Sequence, residues 1–168
     1  MVRKIWAAQR GRSRLGLPTV YQLLLYLHIL GGVIWVGGAV AIQVLAVLVG
    51  RSDPAQAPAL ARHFEALGRW LFLPASLVIL VSGAAMTIQA WSFGQVWIAM
   101  SVSLWVASAL AGALYLAPRA KRAAAAFEAD GPTSATGRKL IGGMFVVSRL
   151  ELVSFAIIIA LMVFKPGS

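Results

Sequence analysis

The chain contains no cysteine and only five acidic residues among its 168. The absence of cysteine excludes disulfides, thiolate-bound zinc, iron–sulfur clusters and covalently attached c-type haem. Charged residues of both signs make up 12% of the chain, which is about half the share of a typical soluble domain. The sequence also has no P-loop, Rossmann glycine pattern, HExxH or GxSxG motif. No signature of a soluble enzyme is present, and whether the chain is an enzyme of another kind stays open.

Long apolar runs dominate what is present, because 60% of the residues are hydrophobic and the mean hydropathy is +0.84. Four runs are long enough to cross a bilayer core of roughly 30 Å as helices: 20–49, 70–90, 96–117 and 140–164. None of them alternates with the two-residue period of a strand. The sequence therefore predicts an all-α polytopic membrane protein, a four-helix transmembrane bundle over 20–168, preceded by a basic tail over 1–19.

Proline and cap residues predict where the helices bend, begin and end. We expect the second helix to begin before the membrane and to kink at Pro74. The third span should end at Pro118, and 118–132 should form a short basic helix. Thr133 or Ser134 can then cap the fourth helix.

The net charge of +10 comes from basic residues that flank the spans. Anionic lipid headgroups are the simplest partner for this pattern, and nucleic acid is not expected. Eight basic residues lie in the connections 50–69 and 118–139, between the first and second spans and between the third and fourth. On the other side of the membrane are the five basic residues of the tail and Lys165. We expect a multi-pass protein of the cell (cytoplasmic) membrane. The positive-inside rule favours termini outside, whereas the basic tail argues for the opposite orientation.

His28 lies inside the first span, which contains no Asp, Glu, Lys or Arg. An ionisable group kept in lipid is a candidate functional residue, and a neutral imidazole is a good ligand for haem iron or copper. Gly31, Gly32 and Trp35 share its face at helical spacing, and the glycines leave space for a flat cofactor or a neighbouring helix. The alternative is a hydrogen bond from His28 to a serine or carbonyl on another span.

A second metal ligand is harder to find. His63 precedes the second span, so helix rise puts it on the order of 30 Å from His28. Met86 and Met100 are expected in the same leaflet as His28, as is Met162. A set of thioether and imidazole ligands suits Cu(I) or haem, although methionine is also ordinary apolar filler.

Arg149 and Glu151 lie midway along the fourth span. Being two residues apart, they point in different directions and do not neutralise each other well. One interpretation is a proton or cation path, completed by serines on other spans, or an anchor for haem propionates through Arg149. The other is a buried pairing with another helix, or snorkelling of the charges to the interface.

Several segments of the chain resemble a family of bacterial predicted integral membrane proteins of unknown function. They are LHILGGVIWVGGAVAIQVLA (27–46), LGRWLFLPASLVILVSG (67–83), GALYLAPRAKR (112–122), SRLELV (148–153) and LMVFKPG (161–167). The resemblance covers nearly everything after the basic tail and implies a membrane protein without an assigned activity.

A more distant similarity begins at His28 and continues through Trp35-Val36-Gly37-Gly38. This pattern is similar to the first span of the copper-resistance D family and of the J-type protoporphyrinogen oxidase, which binds haem b through a first-span histidine. The resemblance implies His28 as an axial ligand. The J-type enzyme also relies on an intramembrane lysine, and the four spans here contain none, which argues against the same activity.

Three functional hypotheses follow from the sequence. The first is a protein that binds haem b or copper through His28 for electron transfer or metal handling. The second is a non-catalytic accessory or scaffold subunit whose glycine-rich first span packs against a second copy or a partner in a membrane complex. The third is a small transporter that uses Arg149 and Glu151.

Overall fold

The computed structural model describes residues 19–167, so the predicted basic tail lies outside the described residues except for Thr19. Within that range every regular element is helical and there is no strand. The helices are α1 (Val20–Ser52), α2 (Ala57–Leu67), α3 (Leu73–Ala90), α4 (Val96–Leu110), α5 (Ala117–Asp130) and α6 (Ala135–Phe164). Four continuous helical stretches are long and apolar enough to cross a membrane. The predicted all-α four-helix transmembrane fold is confirmed.

The long helices begin and end at residues that satisfy their free backbone groups. Thr19 caps α1 in a capping box, since its hydroxyl accepts from the Gln22 N–H at 3.3 Å while the Gln22 side chain accepts from the Thr19 N–H at 2.8 Å. Ser134 caps α6 by accepting from the Gly137 N–H at 3.2 Å, which confirms the predicted cap. The 33 residues of α1 rise about 50 Å, so the helix is longer than a bilayer core.

A wide π turn joins α2 to α3, and a second joins α4 to α5. The turns span Gly68–Phe72 and Ala111–Leu116, and each ends shortly before a proline, Pro74 or Pro118. Proline has no N–H and its ring clashes with the carbonyl four residues earlier, and a wider turn relieves that clash without ending the helix. The predicted short basic helix over 118–132 is present as α5, and it continues from the third span through the wide turn without a break.

Two rings of aromatic and basic side chains mark where the helices leave the bilayer. On the side of the 91–95 hairpin, called the hairpin side, the Lys165 ammonium lies 4.5 Å from the ring centre of Trp91. Twenty residues of helix, about 30 Å, separate this level from Trp70, which is 77% exposed beside Arg69. In the third helical stretch, Val96–Asp130, the Arg119 guanidinium lies 4.0 Å from the ring centre of Tyr115 at the same level as Trp70. This second level is called the basic side, and a bilayer core fits between the two levels.

Inside the bilayer the helices form two pairs. α1 packs along α3, α4 packs along α6, and α1 and α6 make the lighter contact that joins the pairs. α3 and α4 are neighbours in sequence but do not pack along each other. Gly31 permits the approach of α1 to α3, because a Cβ there would lie 3.0 Å from Ile79 and 3.2 Å from the Ala75 carbonyl oxygen.

The tightest packing lies beyond the bilayer, on the basic side, where α2 and α5 project and contact each other and the start of α6. Ala123 and Phe127 are 0% and 3% exposed, and the Phe127 ring fills the space that a side chain at Gly137 would need. Arg62 and Glu128 form an ion pair of 3.8 Å across the outer surface, and both side chains are too exposed for it to add much stability.

Candidate functional site

His28 is held between α1 and α3, about 12 Å from the hairpin-side end of α1 by helix rise. Its Nδ1 lies 2.9 Å from the Ile79 carbonyl oxygen and 3.1 Å from Ser82 Oγ. The Ser82 hydroxyl donates to the Val78 carbonyl, so the Ser82 oxygen is left to accept. The imidazole is therefore fixed by groups of a different helix.

These bonds decide which ring nitrogen carries the proton. A carbonyl oxygen can only accept, so Nδ1 of His28 must donate its hydrogen to Ile79. In the neutral ring the lone pair is then on Nε2. Nε2 makes no hydrogen bond to the described residues. It is also absent from the described atoms that are both fully buried and unpaired, so it keeps some accessible surface. It is a fixed, reachable nitrogen donor in a membrane span.

Gly83 provides the space for the His28 ring. A Cβ at Gly83 would lie 2.9 Å from His28 Cε1 and 3.3 Å from Nδ1, closer than real side chains approach. The ring thus lies directly against the α3 backbone. Metal-binding histidines commonly donate their other ring N–H to a carbonyl, which fixes the orientation of the ring. The arrangement of His28 on Ile79 and Gly83 fits that pattern with one protein ligand.

The predicted neighbours of His28 have different surroundings. Gly31 is occupied by helix packing, as described above, whereas a Cβ at Gly32 would meet nothing within 4 Å. Trp35 packs against Phe155 of α6, with ring centres 4.6 Å apart. Of the three, only Gly32 leaves open surface on the same face as His28.

The predicted combination of His28, Met86 and Met100 is not brought together. Met86 is buried on α3, one turn beyond Ser82. Met100 is 46% exposed on α4, and α4 packs along neither α1 nor α3. Among the described side chains, with Glu65 left aside, no group of three or more His, Asp or Glu residues could hold a metal ion. Any metal at His28 would need most of its ligands from outside the protein.

Arg149 and Glu151 also lie apart from His28. Arg149 lines a groove between α6 and α1 with Gln43, and Gln43 is fifteen residues, about 22 Å, along α1 from His28. A porphyrin bound at His28 would not reach that far, so the structure separates the predicted propionate anchor from the predicted ligand. Glu151 is partly exposed, and neither side chain forms an ion pair or hydrogen bond with the described residues.

The serines that were expected to complete a polar seam bond mostly to their own helices. The hydroxyls of Ser101, Ser103 and Ser154 donate to carbonyls four residues earlier, at 2.7, 2.9 and 3.1 Å. Only Ser82 also contacts another helix, through His28. These hydroxyls are therefore already satisfied and give no continuous polar path in the described part of the bundle.

Sequence reasoning missed Gly83 and Gln43. Gly83 is one of many glycines in the spans, and only its position opposite His28 distinguishes it. Gln43 could have been singled out, because it is the one amide side chain in the first span beyond its first turn, and after Tyr26 the span has few other polar side chains besides His28. Its Nε2 is fully buried without a hydrogen-bond partner among the described residues.

Comparison with known proteins adds a family and no activity. No curated protein and no solved structure matches the chain significantly. The distant similarities at His28 to copper-resistance and protoporphyrinogen oxidase families stay predictions. A family model described as "Predicted integral membrane protein (DUF2269)" matches residues 22–166. The chain belongs to this family of predicted integral membrane proteins of unknown function.

Proposed function

We propose that the protein binds a redox-active metal group through Nε2 of His28, with haem b as the first candidate and copper as the second. The observation that carries the proposal is the bond from Nδ1 to the Ile79 carbonyl, which leaves a neutral imidazole with its lone pair on Nε2. In a bilayer such a nitrogen has no water to satisfy it, so a metal is a favourable partner.

Haem is favoured over copper by the number of ligands available. The porphyrin supplies four nitrogens to its iron, so one axial histidine is enough to hold it. Copper would need further protein ligands, and Met86, one turn from Ser82, is the nearest sulfur along α3. The open surface at Gly32 is where a flat group beside His28 would meet α1. Bound there, haem would supply one-electron redox chemistry, and this chain would orient it and exclude water.

The test is an optical spectrum of the protein purified in mild detergent from cells supplied with a haem precursor, with copper measured in parallel by elemental analysis. We expect a Soret band that shifts on reduction, is lost in His28→Ala and persists in His63→Ala. His63 is the matched control because it is the other histidine and lies exposed on α2. Circular dichroism of each variant separates loss of the ligand from loss of the fold.

The proposal would be refuted if the purified protein showed no Soret band and contained no copper. That outcome would favour the second candidate, an accessory or scaffold subunit. Its specific support is that a Cβ added at Gly32 or Gly37 would meet no atom within 4 Å, whereas Gly31 and Gly38 are used to pack α1 on α3 and the turn before it. Gly32 and Gly37 point in directions about 140° apart, so a second copy or a partner helix could approach α1 closely at either one.

A further inference from the structure

A groove of about 330 Å³ opens between α1 and α6, on the opposite part of α1 from His28. Its walls are mostly apolar, and its polar members are Gln43 on α1 and Arg149 on α6. The apolar members are Val44, Val47, Leu48 and Leu152. α1 and α6 make only a light contact, which includes the ring pair of Trp35 and Phe155, and the groove lies on the basic side of that pair.

The polar end of the groove contains hydrogen-bond donors without acceptors. The guanidinium of Arg149 has five N–H donors, and no carboxylate lies within 4.0 Å of it among the side chains that the structure describes, which do not include Glu65. Nε2 of Gln43 is buried and has no hydrogen-bond partner among the described residues. The terminal torsion of Gln43 is soft, so its amide can rotate toward a group bound in the groove. The buried Gln43 amide has left water, where an unsatisfied donor is costly, and the exposed Arg149 guanidinium adds a positive charge beside it. This end of the groove therefore favours an anionic acceptor.

The depth of the groove matches the headgroup level of the basic side. Gly38 packs against the Phe72 ring, and Gln43 lies five residues farther along α1, about 7.5 Å nearer the basic side. Arg69 lies three residues beyond Phe72 in the same direction, about 4.5 Å, next to the exposed Trp70. Gln43 is therefore level with the ring of basic and aromatic side chains that marks the interface.

Combining these observations, we propose that the groove is a binding site for a single anionic phospholipid. The phosphodiester accepts hydrogen bonds from Arg149 and the Gln43 amide, and an acyl chain lies along Leu152, one turn deeper in the bilayer than Arg149. A bilayer supplies such lipids at this depth at high local concentration, and a positive groove between helices selects the anionic ones. The occupant matches the site in charge, apolarity and depth.

The experiment measures binding of phosphatidylglycerol and of phosphatidylcholine, with identical acyl chains, to the purified full chain in detergent, by native mass spectrometry and thermal unfolding. We expect tighter binding and a larger stabilisation by phosphatidylglycerol. Arg149→Gln should weaken phosphatidylglycerol binding at least about tenfold, because it removes a charge-assisted hydrogen bond. Arg122→Gln, on the exposed surface of α5, is the matched loss of one positive charge and should leave binding unchanged.

Three results would overturn the proposal. They are equal binding of the two lipids by the wild type, an equal preference in Arg149→Gln and wild type, or a stabilisation by inorganic phosphate as large as that by the lipid. The last would identify a site for a free anion. If Arg149→Gln does not fold, Arg149→Lys and Gln43→Leu keep the test decisive. Each removes part of the donor set and should weaken phosphatidylglycerol binding more than Arg122→Gln does.

Discussion

At the scale of single residues, the position of the His28 ring depends on the absence of a side chain at Gly83. The nearest atom of the ring lies 2.9 Å from where a Cβ of residue 83 would be, and the bond from Nδ1 to Ile79 keeps the ring there. A larger residue at 83 must push the imidazole away from its acceptor. This interaction ties the candidate ligand to the packing of α1 against α3.

Gly83→Ala should therefore lower the stability of the protein, whereas Gly32→Ala should not. Both substitutions gain the same helix propensity from alanine, and a Cβ at Gly32 meets nothing within 4 Å. We expect Gly83→Ala to be less stable than Gly32→Ala by about 1 to 3 kcal/mol, the usual cost of overpacking. Thermal unfolding of both variants in the same detergent measures the difference.

Equal stability of the two variants would mean that the ring of His28 can move aside at no cost. In that case the imidazole is not fixed against α3, and the argument for a prearranged Nε2 donor loses its basis.

At the scale of elements, the two π turns allow long helices to continue through proline. The segments GRWLFLP and GALYLAP each have a glycine six residues before the proline. In each, the wide turn begins at or next to the glycine and ends two residues before the proline. Both turns lie at the basic-side interface, where the helices leave the bilayer. They connect the membrane-embedded part of each helix to the extramembrane layer of α2 and α5.

A π turn closes its hydrogen bond over one more residue than an α turn does, so it should tolerate loss of one residue. Deleting Leu114, which is 72% exposed, together with Pro118→Ala should convert Ala111–Leu116 to α-helix. α4 and α5 then keep their registers and Phe127 stays buried. We expect a melting temperature within about 4 °C of the wild type, equivalent to about 1 kcal/mol.

The matched control is deletion of Val146, an exposed residue of α6, which has no wide turn. That deletion rotates one part of α6 by about 100° relative to the other and misplaces Phe155 or Gly137, so it should be far more destabilising. Similar losses from the two deletions would contradict the role of the π turn as an inserted residue.

The sequence predicted these elements only in part. Pro74 and Pro118 were visible as irregularities, and the helix start ahead of the membrane and the Ser134 cap were predicted correctly. The wide turns were not predicted, because a proline pattern alone does not distinguish a kink, a helix end and a π turn. The neighbouring helices decide among them: α2 and α5 gain packing against each other only if both helices continue.

At the scale of the whole molecule, the connections alternate between two sides of the membrane. The 91–95 hairpin and Lys165 share one side, and the connections near Ser52 and Pro132 share the other. Which side faces the cytoplasm stays a prediction. The excess of basic residues on the second side favours that side as the cytoplasmic one.

The absence of cysteine makes the orientation directly testable, because single introduced cysteines have no background. Ser92→Cys and Thr133→Cys are exposed positions on opposite sides. With the termini outside, a membrane-impermeant maleimide should label Ser92→Cys in intact cells and Thr133→Cys only after permeabilisation. The reverse pattern would place the termini inside, and labelling of both in intact cells would contradict the four-span topology.

The sequence by itself determined the number of spans, the helical class, the cap of the fourth helix and the presence of polar residues at His28, Arg149 and Glu151. Local composition is enough for this, because lipid forces each backbone to satisfy its own hydrogen bonds as a helix.

Only the tertiary structure decided that α1 pairs with α3 and α4 with α6. It also decided that Ile79 and Gly83 hold His28, and that Arg149 lines a groove with Gln43, about 22 Å along α1 from His28. Hydropathy cannot specify these contacts, because a leucine against lipid and a leucine against another helix have nearly the same environment. Shape and a few polar atoms select the neighbours, and those become visible only once the helices are packed.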